Sequence, residues 1–171
     1  MAIRPVLKMG HPVLRQVAMP VVRFDEDLQT LIADMDETMR SLSGAGLAAP
    51  QIGVSQRVVI FEVQENPRYP QVKPVPYTVL VNPELSPLGD EIEEGWEGCL
   101  SVPGMRGLVP RYHRLRYRGF DQHGAAIDRT VEGFHARVVQ HEVDHLDGIL
   151  YPQRIQDLRN FGFEDVLLGQ M

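Results

Sequence analysis

The residues His141-Glu142-Val143-Asp144-His145 form an H-E-x-x-H pattern, and their types and spacing suit a metal centre. At ~100° per residue, helix positions four apart lie one turn along the axis and ~40° apart in angle. Two imidazoles so placed can reach one ion. Glu142, beside the first histidine, is placed to address a water on such an ion without being a ligand, as the general base of a metallohydrolase does.

The segment around the pair reads as a buried helix from about Glu132 to Leu146, ended at Gly148, which can take positive φ. Phe134, Val138, His141 and His145 share one stripe, and Val139, Val143 and Leu146 form a second apolar face. Buried ring nitrogens need partners, and one ion satisfies two at once. Phe134 and Val138 then wall an apolar pocket beside the ion, or serve as simple core. Two histidines leave the ion under-coordinated. The metzincin pattern of a third histidine after H-E-x-x-H-x-x-G fails, because Tyr151 stands where that histidine would. Glu164 lies at a plausible separation for a thermolysin-like third ligand, giving a metallopeptidase. Cys99 is the remaining candidate, although lone cysteines are more often small buried hydrophobes. A third reading has a buried metal merely pinning the helix.

A single domain must position these residues. The chain has 171 residues, 43% hydrophobic and 23% charged, within the globular range and long enough to bury a core. The net charge of −6 argues against a broad nucleic-acid footprint, though Arg111 to Arg118 is a local basic patch. One cysteine excludes an intrachain disulfide framework and fits the cytoplasm. The first 14 residues carry Arg4, Lys8 and prolines in place of a signal-peptide apolar stretch, and the longest apolar runs are strand-length, so no export or membrane segment is expected. Asp25 to Leu42 has Leu28, Leu31, Ile32, Met35, Met39 and Leu42 at helical spacing. Strand signals fall at Arg57 to Val63, Thr78 to Val81, Arg114 to Phe120 and Ala125 to Val131, with a turn at Asp121 to Gly124. Pro67 to Pro76 reads as a surface loop. Without regular βαβ alternation the pattern predicts an α+β fold rather than a parallel sheet.

Three blocks then carry a resemblance. Glu97-Gly98-Cys99-Leu100-Ser101, His141-Glu142-Val143-Asp144-His145 and Gly44-Ala45-Gly46-Leu47-Ala48-Ala49-Pro50-Gln51 resemble, in order and separation, the signature of the peptide deformylase family. Gly10-His11-Pro12-Val13-Leu14-Arg15 is a weaker fourth match. The resemblance implies one catalytic domain over residues 1–171, with antiparallel or mixed strands around a central metal-binding helix. The implied activity is hydrolysis of the N-formyl group from the terminal methionine of new polypeptides, releasing formate.

In that reading Cys99, His141 and His145 hold one divalent ion and leave an open position for water. The resemblance implies ferrous iron in the cell, with Zn2+, Ni2+ or Co2+ as substitutes in preparations. Glu142 takes the water proton and passes it to the departing amine. The Gln51 side-chain amide and the Leu100 N–H face the oxyanion. Gly44, Ala45, Gly46, Gly98, Phe134, Val138 and Arg106 are the expected substrate contacts, with alanine at position 45 in place of the larger aliphatic residue of many relatives. Asp144 is expected to pair with Arg111 and fix the helix against the preceding strand, while His11, His113, His123 and His135 are structural or surface residues. Nascent formyl-Met chains are the implied partners, and ribosome contact is expected to be transient because Gln153 to Met171 holds only Arg154 and Arg159 against three acidic residues.

Overall fold

The sequence places its longest apolar runs where both faces of a sheet are covered. In the computed structural model, which describes residues 2–65 and 71–170, strands β1 (Gly46–Ala48), β2 (Val58–Val63), β3 (Val75–Pro87), β6 (Arg114–Phe120) and β7 (Ala126–Glu132) form one antiparallel sheet in the order β1-β2-β3-β6-β7. Helix α1 (Glu26–Ser41) covers one face with Leu28, Leu31, Ile32, Met35 and Met39 against Val58, Ile60, Val79 and Val81. Helix α2 (Gly133–Leu146) covers the other with Ala136, Val139, Val143 and Leu146 against Val59, Phe61, Leu80 and Leu115. Successive strand residues point to opposite faces, so Val58 to Phe61 alternates between the two helices and reads as continuously apolar.

Strands β4 (Ile92–Cys99), β5 (Val102–Tyr112) and β8 (Phe161–Phe163) make a second antiparallel sheet in the order β4-β5-β8. Its core is Leu14, Val102, Val109, Leu150 and Tyr151. A one-turn helix, α3 (Glu164–Leu167), follows β8.

Helix α1 begins, and helix α2 ends, for local reasons. Asp25 caps α1 by accepting the Leu28 N–H at 3.1 Å. At the end of α2 the Ile149 N–H returns to the Asp144 carbonyl at 3.0 Å and the Gly148 N–H to that of His145 at 3.3 Å, the two bonds of a Schellman ending. Gly148 has φ 74°, and a Cβ there would lie 2.6 Å from the Arg15 carbonyl oxygen, so glycine is required twice over.

The expected elements are present with three differences. Leu42 is the C-cap of α1 and is 48% exposed, rather than part of its buried stripe. Residues 67–70 of the expected loop lie outside the described residues, and Val75 and Pro76 already belong to β3, which extends beyond the apolar run to Pro87. The second sheet has no counterpart in the apolar pattern. Its strands carry Glu93, Glu94, Glu97, Pro103, Gly107 and Pro110, residues depleted in strands generally.

Candidate metal centre

Cys99 closes β4 and pairs with Val102 across the two-residue turn Leu100-Ser101, so the thiol stands at a hairpin tip facing α2. Helix α2 presents His141 and His145 one turn apart, with ring centroids separated by 5.2 Å. One donor atom from each of Cys99, His141 and His145 lies within 4.8 Å of the others. The Cys99 Sγ to His145 Nε2 distance is 3.7 Å. His141 uses Nδ1 against the Glu97 carboxylate at 2.7 Å, which leaves Nε2 for the centre. Glu164, the competing third ligand, is not part of this group. Its carboxylate accepts from Arg106 Nε at 2.9 Å, so among the described residues Glu164 does not complete a thermolysin-like site.

The donor set fits a divalent ion of borderline softness, one thiolate and two imidazoles with the cleft side open. Burial lowers the affinity of His145 for a proton, and the Arg111 charge acts in the same direction, which favours the neutral ring that binds metals. Burial also pushes the Glu142 carboxyl up to about 7, a value matched to taking and giving a proton near neutrality. Glu142 is 5% exposed, its Oε2 is buried without a partner, and its Oε1 lies 4.0 Å from His141 Nε2. A Cβ on Gly46 would come within 2.5 Å of Glu142 Oε1, so only glycine lets β1 pass this side chain.

Gln51 lies in the 3-10 turn Ala49–Ile52 that follows β1. Its Oε1 accepts the Ala48 N–H at 2.9 Å, while Nε2 donates to Ser101 Oγ at 3.0 Å and approaches Cys99 Sγ at 3.6 Å. The amide orientation is thereby fixed with its donor side toward the centre.

A cleft of about 670 Å³ opens from this point. Gly44, Ala45, Gly46, Gly98, Phe134, Val138 and Arg106 all line it, together with Gln51, Leu100, Trp96 and Glu142. Val138 serves as core and wall at once, being buried in the α2 cluster, whereas Phe134 is 40% exposed at the mouth.

The support behind the ligands was only half visible in sequence. Asp144 pairs with Arg111 at 2.6 Å, as expected, and also accepts from Arg154 at 2.8 and 3.0 Å. The unforeseen centre of the network is Glu97. Buried where β4 and β5 pack against α2, it binds Arg111 through both oxygens, Arg137 Nη1 at 2.7 Å and His141 Nδ1 at 2.7 Å. Burial opposes its charge, yet Arg111 and His141 hold its carboxyl far below the usual range. The available signal was Arg137, a charge four residues before His141 on a helix otherwise read as buried. Tyr151, which stacks on the His141 ring at 6.1 Å and 25°, was also missed. His11 caps a turn, His113 meets Glu93 and His135 meets the Tyr117 hydroxyl, so all three stand apart from the centre.

A helix-borne H-E-x-x-H pair completed by a thiol, with an unpaired buried carboxylate beside it and an open cleft in front, defines a mononuclear metallohydrolase centre. The sequence profile of the polypeptide deformylase family matches residues 3–161. Peptide deformylase 1 of Nitrosomonas europaea is 66% identical over 96% of this chain and 94% of its own length. Peptide deformylase 2 of Ralstonia nicotianae is 62% identical over 99% and 96%. A class I type b peptide deformylase from Acinetobacter baumannii, solved with Met-Ala-Ser bound, superposes with a TM-score of 0.85 at 41% identity, covering 90% of this chain and 99% of that one. The chain belongs to the polypeptide deformylase family, enzymes that remove the N-formyl group from nascent polypeptides with the help of a metal ion.

Proposed function

We propose that the inner end of the cleft is where the formamide of formyl-Met chains is hydrolysed, with residues 1–171 acting as one catalytic domain. The observation that carries this reading is the grouping of Cys99, His141 and His145 beside the unpartnered Glu142 carboxylate. These three residues would hold one divalent ion, ferrous iron in the cytoplasm, which polarises the formyl carbonyl and acidifies water. Glu142 receives the water proton at its free Oε2 and delivers it to the methionine nitrogen as the C–N bond breaks. The Gln51 amide, pinned by Ala48 and Ser101, presents an N–H toward the developing oxyanion, and the Leu100 N–H in the adjacent turn is the second donor. Gly44, Ala45 and Gly46 on one side and Gly98 on the other let the peptide backbone approach both strands, while Phe134 and Val138 face the methionine side chain. The Met-Ala-Ser tripeptide bound to the Acinetobacter relative supports a methionine-led peptide as the occupant. Ribosome contact is transient in this account.

The test is formate release from formyl-Met-Ala-Ser and its acetyl counterpart by protein loaded anaerobically with iron. Release selective for formyl is the expected result. Equal hydrolysis of the acetyl peptide, or no hydrolysis of either by protein with verified metal content, overturns the proposal.

A further inference from the structure

Charge around the cleft is arranged in a way that the hydrolytic chemistry does not use. Of its charged lining residues, Glu97, Arg137 and Glu142 are buried, and the first two are joined at 2.7 Å. The charges that face solvent are Arg106 and Glu164, with side chains 39% and 40% exposed and joined at 2.9 Å. The pair is built by the fold. Strand β8 lies against β5 with Gly162 opposite Arg106, so the chain must turn into α3 with Glu164 beside that guanidinium. On the other side, Arg106 Cγ would lie 3.9 Å from a Cβ on Gly98, so its stem runs along the residue next to Cys99. A peptide extends ~3.3–3.6 Å per residue, so one that reaches Cys99 with its formyl end and leaves along Gly98 would carry the side chains following its methionine past this rim.

Resting on the deformylase reading above, we propose that Glu164 is a specificity-determining residue whose carboxylate masks Arg106, making the rim indifferent to the charge of the residues that follow the methionine. A lone guanidinium at this place would select acidic sequences, because its planar donors match a carboxylate and its charge is never lost near neutrality. Two opposite charges at contact distance leave only a dipole, whose pull on a third charge is short-ranged. An enzyme acting on new chains of every sequence gains from such neutrality.

The experiment measures kcat/KM for three amidated peptides, formyl-Met-Ala-Xaa, with Xaa Glu, Ser or Lys. Amidation removes the terminal carboxylate as a second source of negative charge. For the wild type the Glu-to-Lys ratio is expected within about threefold of unity. Glu164→Gln raises that ratio about tenfold, through KM, and the preference shrinks in about 1 M salt. Arg106→Gln shifts the ratio the opposite way, toward Lys. A ratio in Glu164→Gln that stays within about twofold of wild type, while the Ser peptide is still turned over, overturns the masking role. So does an equal loss on all three peptides, which makes the pair a structural clasp. Wild-type protein that releases no formate from the Ser peptide fails earlier, overturning the deformylase reading and this assignment with it.

Discussion

Replacing Glu97 with glutamine keeps the side-chain shape and removes its charge, which isolates what the carboxylate contributes. Wherever the new amide nitrogen sits, two donors lose their acceptor. At the Oε1 position it faces Arg111 Nη2 and His141 Nδ1, and at the Oε2 position it faces Arg111 Nε and Arg137 Nη1. Hydrogen bonds to charged groups contribute ~1.5–3 kcal/mol each, and breaking a buried ion pair from one side costs ~3–5 kcal/mol. The remaining partners limit the damage. Arg137 keeps the carbonyls of Val109 and Glu93, and Arg111 keeps Asp144. The expected loss is therefore about 3–5 kcal/mol, or roughly 6–20 °C in melting temperature at this chain length. Metal affinity should fall ~10–100-fold, because the ring of His141 loses its orienting acceptor. Equilibrium urea unfolding of the metal-free proteins and chelator competition on the loaded ones measure the two effects separately. The stabilisation also has a pH signature. Glu97 is held below its ordinary value of 4.5, so its contribution is complete above that pH and is lost as pH falls below it. The variant should therefore lack this acid-side decline. A stability loss under about 1 kcal/mol, or unchanged metal affinity, would refute the assignment of Glu97 as the orienting centre.

Gly46→Ala forces a methyl group against the Glu142 carboxylate and should cut kcat about 100-fold with the metal retained, whereas near-normal kcat would show that the carboxylate tolerates displacement. Cys99→Ser should weaken metal binding by more than about 100-fold in direct metal analysis, and full occupancy would return the third-ligand question to a carboxylate. His135 has its pKa lowered to about 4 by burial and by Arg129. The unfolded chain takes up a proton near pH 6.5 while the folded one resists, so stability should fall between pH 6.5 and 4 by about 1–2 kcal/mol after allowance for the partly exposed ring. His135→Gln should flatten that slope in urea titrations at several pH values, and an unaltered slope would assign it to other groups.

The parts legible in sequence are those whose local pattern matches their burial. Helix α1 announces itself by Leu28 to Met39 at helical spacing behind Asp25, and β6 and β7 by alternation around the Asp121 to Gly124 turn. The chemistry of α2 is legible because two of the three candidate metal-binding residues and the buried Glu142 carboxylate lie within five residues. The second sheet is hidden because the one fully buried position of β4 is a charged residue. Glu97 points inward to hold Arg111, Arg137 and His141, so the strand that carries the third ligand looks polar where a core strand looks apolar. Three-dimensional closure is invisible for a second reason, the distance along the chain. Arg111, Asp144 and Arg154 are spread over 44 positions and meet only once β5, α2 and the following turn have packed. The role of Glu164 follows from β8, a three-residue strand too short to leave a periodic signal.

Glu142 is proposed to carry the proton at a centre held by Cys99, His141 and His145. The most direct measurement is formate release from formyl-Met-Ala-Ser by Glu142→Gln, with metal content per chain determined on the same sample. At metal occupancy equal to wild type, the expected rate is lower by at least about 1,000-fold. A rate within about tenfold of wild type at equal occupancy would contradict it.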